Sequence, residues 1–443
     1  MRHGRVSQQP DIIISGGAVI TMESATGIIE DGYVGISGSY ITDVGEGPAP
    51  DENHSSVQVI DAQGMIVLPG FVNTHHHLWQ TILRGQGADL AVGDWVNACV
   101  SKYGPKFLPE DSYVSSLLGL AEGIDSGITT VVNWAHNSNS REHVEASLRA
   151  MRESGVRGIY AFGARILSEG LHEMPYDVID YALEHFFGEG DEMLIPWLAP
   201  PEPGFKCAED FMFAVRFARE RGLRLSIHLL ESQDEIAAAP IQLLQKLKVL
   251  GPELLIAHAV HVNKHDIELL SATSTPIAHC PVANMRLASG IAPLRDMLAR
   301  GITVGLGTDG VASNDSGDML AVVKAALGLA RATQLDPRAL LPEDALYLAT
   351  MGGARALGMD DVIGSICVGK KADLIIIDPS GLNFAPLNDC VAQLVLSGAP
   401  SNVDTVIADG HILKHQGRLQ LPNVDALVRK SQRCADRIIR NKK

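Results

Sequence analysis

The side chains with the most evident chemistry are histidines and carboxylates at short spacings. Residues 73–77 read Asn-Thr-His-His-His, so on a strand His75 and His77 share one face and His76 takes the other. Glu231 follows His228 by three residues, His261 follows His258 by three, His279 precedes a Cys-Pro pair, and Asp309 sits in Gly-Thr-Asp-Gly. Neutral imidazoles plus one carboxylate, with no thiolate, suit Zn²⁺ or Fe²⁺ with an open position for water. Glu231 lies just past its histidine, where it is expected to reach a substrate without ligating a metal. A lone histidine is more often a hydrogen-bonded structural residue, and His76 and His261 are read that way, whereas His136 and His172 are read as solvated by default, with either able to line the mouth. His76 is placed between strand and helix, His261 at a helix entry, and the other two in loops.

These residues need elements that bring them to one place. From residue 105 onward an amphipathic stretch repeatedly ends in Gly and a short β-branched run follows at once. AEGIDSG-ITTVVNW, LRAMRESG-VRGIYAFG, RFARERG-LRLSIHLLE and LRDMLARG-ITVGLGTDG are four instances. Gly127, Gly155, Gly222 and Gly301 fit the position after a helix where the backbone turns left-handed. With MIVLPGFVNTHHH, EMLIPWLAP, ELLIAHAV and STPIAHCPV, the chain has eight apolar strands separated by helical segments. That alternation predicts a parallel sheet, here a (β/α)8 TIM barrel over 67–363. In such a barrel the strand ends converge on one mouth, and the histidines and Asp309 all fall at strand ends. Residues 1–66 and 364–443 hold strands joined by Gly-rich turns, which predicts a small β-sandwich built from both termini. An amphipathic helix from Asn423 to Lys443 closes the chain, its basic face read as solvated.

Composition narrows the class of function. The chain has 443 residues, 46% hydrophobic and 20% charged, as in a folded protein. A net charge of −16 opposes nucleic-acid binding. No apolar run reaches the roughly 18 residues a membrane span needs, and MRHGRVSQQPD lacks a signal-peptide core. The six cysteines are far apart with no CxxC pair, which predicts reduced thiols in a cytoplasmic protein. Two phosphate-binding patterns fail on context. GLGTDG closes the eighth unit of a series and would aim Asp309 at a phosphate. GSICVGKK has Lys371 where a P-loop needs Ser or Thr, and a strand follows it.

The segments PGFVNTHHHLWQTILRG, IHLLE, AHAVHV, AHCPVANMRLASG and GLGTDGVASND together resemble the amidohydrolase superfamily. Within it they resemble the branch of cytosine, guanine and S-adenosylhomocysteine deaminases and s-triazine hydrolases, over nearly the whole chain. NMRLASGIAPL and the HHH triplet look most like 8-oxoguanine deaminases, whereas NWAHNSNSREH departs from that subgroup. The resemblance implies one divalent cation, zinc or iron, held by His75, His77, His228 and Asp309. It implies Asp309 as proton acceptor from the attacking water, Glu231 as proton shuttle, and His258 as hydrogen-bond partner of the developing oxygen. His279, Asn284, Gln80 and Trp134 are candidate substrate contacts. The implied function is hydrolytic deamination of an amino-substituted heterocycle such as 8-oxoguanine, guanine or a pterin. The alternatives are an s-triazine chlorohydrolase, a cyclic-amide hydrolase or an inactive scaffold. The partner is a small molecule, and assembly as a dimer or higher homo-oligomer is expected.

Overall fold

A computed structural model describes residues 10–50, 52–166, 172–188, 190–203 and 208–440. The eight apolar runs form eight parallel strands that pair in chain order. They are β1 (Phe71–His76), β2 (Ile128–Ala135), β3 (Arg157–Gly163), β4 (Leu194–Ala199), β5 (Arg224–Leu229), β6 (Leu254–His258), β7 (Ile277–His279) and β8 (Val304–Leu306). Alternate residues divide the two faces of each strand. Val72, Val132, Ile159, Trp197, Leu255 and Ala278 fill the interior, while Phe71, Val131, Tyr160, Leu198, Ile256 and Ile277 pack into the larger outer core. The four glycines after the helices have φ between +66° and +96°.

The barrel closes between β8 and β1 without a strand ladder. Thr74 Oγ1 donates to Leu306 O at 2.9 Å and Asp309 N to His75 O at 2.9 Å. Asn73 and Thr308 exchange two further hydrogen bonds, at 2.7 and 3.0 Å. Gly305 and Gly307 permit the approach, because a Cβ there would stand 2.4 Å from Thr74 Cγ2 and 2.9 Å from His75 Cβ. The glycines of GLGTDG thus serve strand packing at the seam.

The strands of both termini merge in one nine-stranded sheet. Ile66–Pro69 from the N-terminal part pairs antiparallel with Leu374–Ile377 from the C-terminal part, and Gly70 alone separates it from β1. Ile14, Val34, Ile36, Ile60, Val67 and Ile376 belong to this sheet's own core. Arg157, at the start of β3, ties the barrel to it. Its guanidinium is fully buried and forks onto Asp373 at 3.0 and 3.2 Å, reaching Asp409 Oδ1 at 3.0 Å and Glu192 O at 2.8 Å. Lys371, dismissed as a phosphate ligand, pairs with Glu192 at 2.6 Å.

The last helix spans Val424–Arg440. Leu427, Cys434 and Ile438 pack into a second core cluster with Trp79, Trp95 and Phe107. Its basic face is not merely solvated: Arg437 pairs with buried Asp111 and Lys430 with Glu110. No described helix is long and apolar enough to cross a membrane. Cys99, Cys280, Cys367, Cys390 and Cys434 are free thiols, and Cys207 lies outside the described residues.

Replacing Arg157 leaves the buried Asp373 without its counter-charge, the costly way to break an ion pair, while Asp409 keeps Lys371 at 3.6 Å. Arg157→Met is expected to lose about 3–5 kcal/mol of stability, read from urea unfolding. A loss below about 1 kcal/mol would mean that water already screens the pair.

Candidate active site

Val72 takes the interior position on β1, so parity alone would turn His75 outward; a register break between Asn73 and His76 instead brings His75 into the barrel mouth and leaves His76 facing away from it. His76 Nδ1 meets the backbone oxygen of Asp309 and Thr308 Oγ1, so it supports the seam. His77 follows directly after β1, and its Nδ1 stands 2.8 Å from Trp134 O. A carbonyl only accepts, so Nδ1 carries the proton and Nε2 presents a lone pair. That lone pair stands 3.2 Å from Asp309 Oδ1 and 3.1 Å from His228 Nε2. His75 Nε2 lies 3.4 Å from the same carboxylate oxygen, and neither atom has a hydrogen-bond partner.

Buried acceptors converging on one point repel each other unless something positive stands among them. Burial pushes His75 down to about 3 and, with its neighbouring histidines, holds His228 well below the ordinary range, so both are neutral ligand types. Burial opposes charge on Asp309, yet the contacts from His75 and His77 hold its carboxyl well below the usual range. Ser313 Oγ donates to the other oxygen, Oδ2, at 2.8 Å and orients the group. His77 Nε2 to His228 Nε2, His77 Nε2 to Asp309 Oδ1 and His75 Nε2 to Asp309 Oδ1 span 3.1, 3.2 and 3.4 Å, close to the roughly 3.4 Å between ligand atoms of a tetrahedral cation about 2.1 Å from each. These residues fit a divalent cation.

Backbone strain sets the second half of the site. Ala257 takes the interior position on β6, so parity alone would turn His258 outward. His258 instead adopts φ +70°, a left-handed conformation costing on the order of 1–3 kcal/mol, and its ring faces His75 at 5.4 Å. Leu230 and Asp309 are left-handed too, at +54° and +60°. His258 Nε2 stands 3.6 Å from Glu231 Oε2. Burial raises the Glu231 carboxyl above its ordinary pKa. Burial opposes charge on His258 as well, but the Glu231 and Asp309 carboxylates outweigh it and raise its pKa.

These groups open onto a cavity of about 630 Å³. Val92, Trp95, Val96 and Val100 form an apolar wall on a helical turn, Val92–Trp95, that runs into a π-helix, Val96–Ser101. Gln80 and Trp134 line the cavity. Trp134 packs on His228 with ring centroids 4.3 Å apart, and its Nε1 donates to Ser226 O at 3.1 Å.

Two expected substrate contacts stand elsewhere. Ala278 takes the interior position on β7, so the adjacent His279 turns away; burial lowers its pKa to about 4. Asn284 Oδ1 lies 3.0 Å from His258 Nδ1, behind that ring. Neither is among the described residues lining the cavity. His261 Nε2 meets Ser289 O at 2.8 Å, as a structural histidine should. His136, read as a loop residue, lines the cavity edge-on to His77 at 4.5 Å. His172 lies on a two-residue strand, and its side chain is outside the described residues.

Three contributors went unread in the sequence. Ser313, four residues past Asp309, carries no motif of its own. Glu235 completes a Ser-x-x-Glu capping box with Ser232, a pattern that was legible. Glu202 lines the cavity from the loop after β4.

The sequence profile of the Amidohydrolase family matches residues 66–413. The chain belongs to the amidohydrolase family. Among its relatives is a 5-methylthioadenosine/S-adenosylhomocysteine deaminase of Pelotomaculum thermopropionicum, 35% identical over 437 residues and covering 97% of this chain and 99% of that one. A 5′-deoxyadenosine deaminase of Methanobrevibacter smithii is 34% identical over 401 residues, 88% and 90% of the two chains. Among solved structures, an adenosine deaminase from Xanthomonas campestris with bound zinc superposes with a TM-score of 0.88 at 26% identity, over 98% and 100% of the chains. An atrazine chlorohydrolase from Arthrobacter aurescens complexed with zinc gives 0.83 at 26%, over 96% and 100%. This amidohydrolase therefore sits in the deaminase and triazine-hydrolase branch of its family.

The acceptor cluster separates ligands from neighbours by metal content. Asp309→Ala and His228→Ala should each lower bound metal in elemental analysis, while Glu231→Gln and His258→Asn retain it. Equal loss in His258→Asn would make His258 a further ligand.

Proposed function

We propose that this amidohydrolase is a hydrolytic deaminase of adenosine-type nucleosides, releasing the 6-amino group as ammonia and leaving a 6-oxo ring. One observation carries the reading: a buried carboxyl with a raised pKa, Glu231, stands beside His258 and the acceptor cluster at the mouth of one cavity. The relatives named above as deaminases of methylthioadenosine and 5′-deoxyadenosine support a 6-aminopurine nucleoside over the guanine and 8-oxoguanine expected from the sequence. Their names also favour deamination over chloride displacement from a triazine. The scaffold reading has no missing residue to support it.

A divalent cation bound by His75, His77, His228 and Asp309, zinc before iron, would activate a water at neutral pH. Asp309 is the proton acceptor for the attacking water, oriented by Ser313. Glu231 delivers its proton to N1 as the water adds at C6, so the ring leaves aromaticity without carrying a negative charge. A carboxyl with a raised pKa is suited to give and retake a proton near neutrality. His258, backed by Asn284, turns Nε2 to the oxygen forming on C6. The C6–N bond then breaks. Of the two water protons, one leaves on ammonia and the other replaces the proton that Glu231 gave to N1.

Ammonia release from 5′-deoxyadenosine, 5′-methylthioadenosine, guanine, 8-oxoguanine and a chlorotriazine tests the assignment. Release from the two nucleosides is expected; chloride release without ammonia from any nucleoside would overturn it. Glu231→Gln should lower kcat by about 10²- to 10⁴-fold with bound metal unchanged.

A further inference from the structure

The cavity wall carries one acidic group that the proposed chemistry does not use. Glu202, in the loop after β4, is partly exposed and faces the same space as Glu231 and Glu235. The other acids are committed. Asp309 belongs to the acceptor cluster and Glu231 stands against His258. Glu235 accepts from Leu230 N at 2.6 Å and Ser232 N at 2.8 Å, capping the short helix Gln233–Ala238. Glu202 has no side-chain partner among the described residues beyond its own backbone N–H. Burial, together with the charges of Glu235 and Glu231, pushes its carboxyl up to about 7, so a second anion nearby is disfavoured.

None of the described lining residues is Lys or Arg. Among the described residues of neighbouring loops, Arg286 is engaged with Asp315 at 2.9 Å and with the carbonyls of Gln86 and Gly87, and Arg165 with Asp177 at 3.0 Å. The same cavity is lined by the apolar wall of Val92, Trp95, Val96 and Val100. A cavity of about 630 Å³ exceeds what a bare purine fills, so an appended group must share it, as in ligand sites of roughly 300–1,000 Å³. A −16 chain adds a field of the same sign.

We propose that Glu202 is a specificity-determining residue that admits nucleosides with neutral or cationic appendages and turns away those bearing a carboxylate or phosphate. The inference rests on the deaminase reading and narrows its substrate class. An apolar alkylthio or deoxy group finds the wall of the π-helix. An anionic tail near Glu202 finds a like charge in partly desolvated space, a juxtaposition that costs several-fold to many-fold in affinity.

A matched pair of ligands isolates charge from shape: adenosine-5′-carboxamide and adenosine-5′-carboxylate, compared at pH 8, where Glu202 is ionised. Binding to the metal-loaded enzyme is followed by quenching of Trp95 and Trp134, which line the cavity, and turnover by ammonia release. The enzyme should favour the carboxamide by at least about tenfold in binding. Glu202→Gln should cut that preference several-fold and Glu202→Asp should keep it. Added salt should shrink the preference more in the parent than in Glu202→Gln. A preference unchanged by Glu202→Gln, or a parent that favours the carboxylate, overturns the assignment. Binding that discriminates without any ammonia release would leave the Glu202 inference standing and sink the deaminase reading.

Discussion

Three imidazoles and a carboxylate share one small volume with their acceptor atoms facing inward. His77 shows this most plainly, because the carbonyl of Trp134 fixes its proton on Nδ1 and leaves Nε2 bare toward Asp309 and His228. Such an arrangement is unstable by itself in a buried site; a cation makes it favourable. Much of the barrel mouth follows from that constraint. Asp309 reaches the cluster only because β8 lies tight against β1, and β8 does so only because Gly305 and Gly307 offer no Cβ. The backbone hydrogen bond from Asp309 N to His75 O then locks two of the candidate ligands to each other.

The strained residues belong to the same logic. A barrel strand gives the interior every second side chain, which suffices for His228 but not for His75, which needs a register break in β1, nor for His258. The left-handed φ at His258 buys a position that alternation denies, and Asn284 holds the ring there. Strain of this kind persists only in a scaffold stiff enough to impose it. Sequential strand pairing, the two-layered core and the buried Arg157 ion cluster supply that stiffness, and they lie away from the mouth.

What the sequence makes legible follows the same division. Strand and helix periodicity, with glycine closing the helices, announces the barrel, and parity separates His75 and His77 from His76. Short motifs bring out the candidate ligand set because each motif occupies one strand end. Parity also predicts that His279 turns away from the mouth, but β7 is only three residues long, and its phase cannot be set without the neighbouring strands. Asn284 reads as a substrate contact because its motif lies near the mouth; only packing reveals that it stands behind His258. The basic face of Val424–Arg440 reads as solvated because its partners, Glu110 and Asp111, lie more than 300 residues away in the chain.

Recognition is the least legible layer, for a structural reason. The groups proposed to read a substrate's periphery line the cavity from the turn and π-helix at 92–101 and from the loop after β4, segments with no repeating pattern to interpret. The strand ends that carry the chemistry cannot change without losing the acceptor cluster, whereas these segments contribute only wall and charge. A solved chlorohydrolase and a solved adenosine deaminase can therefore superpose on this chain almost equally well while acting on different molecules. Resemblance in the HHH and NMRLASG segments reports the shared machinery, and so it points to the reaction more firmly than to the ring. The selective features have to be sought where the chain is free to vary: an apolar wall built by a π-helix and, lining the same cavity, an acidic group with no side-chain partner among the described residues.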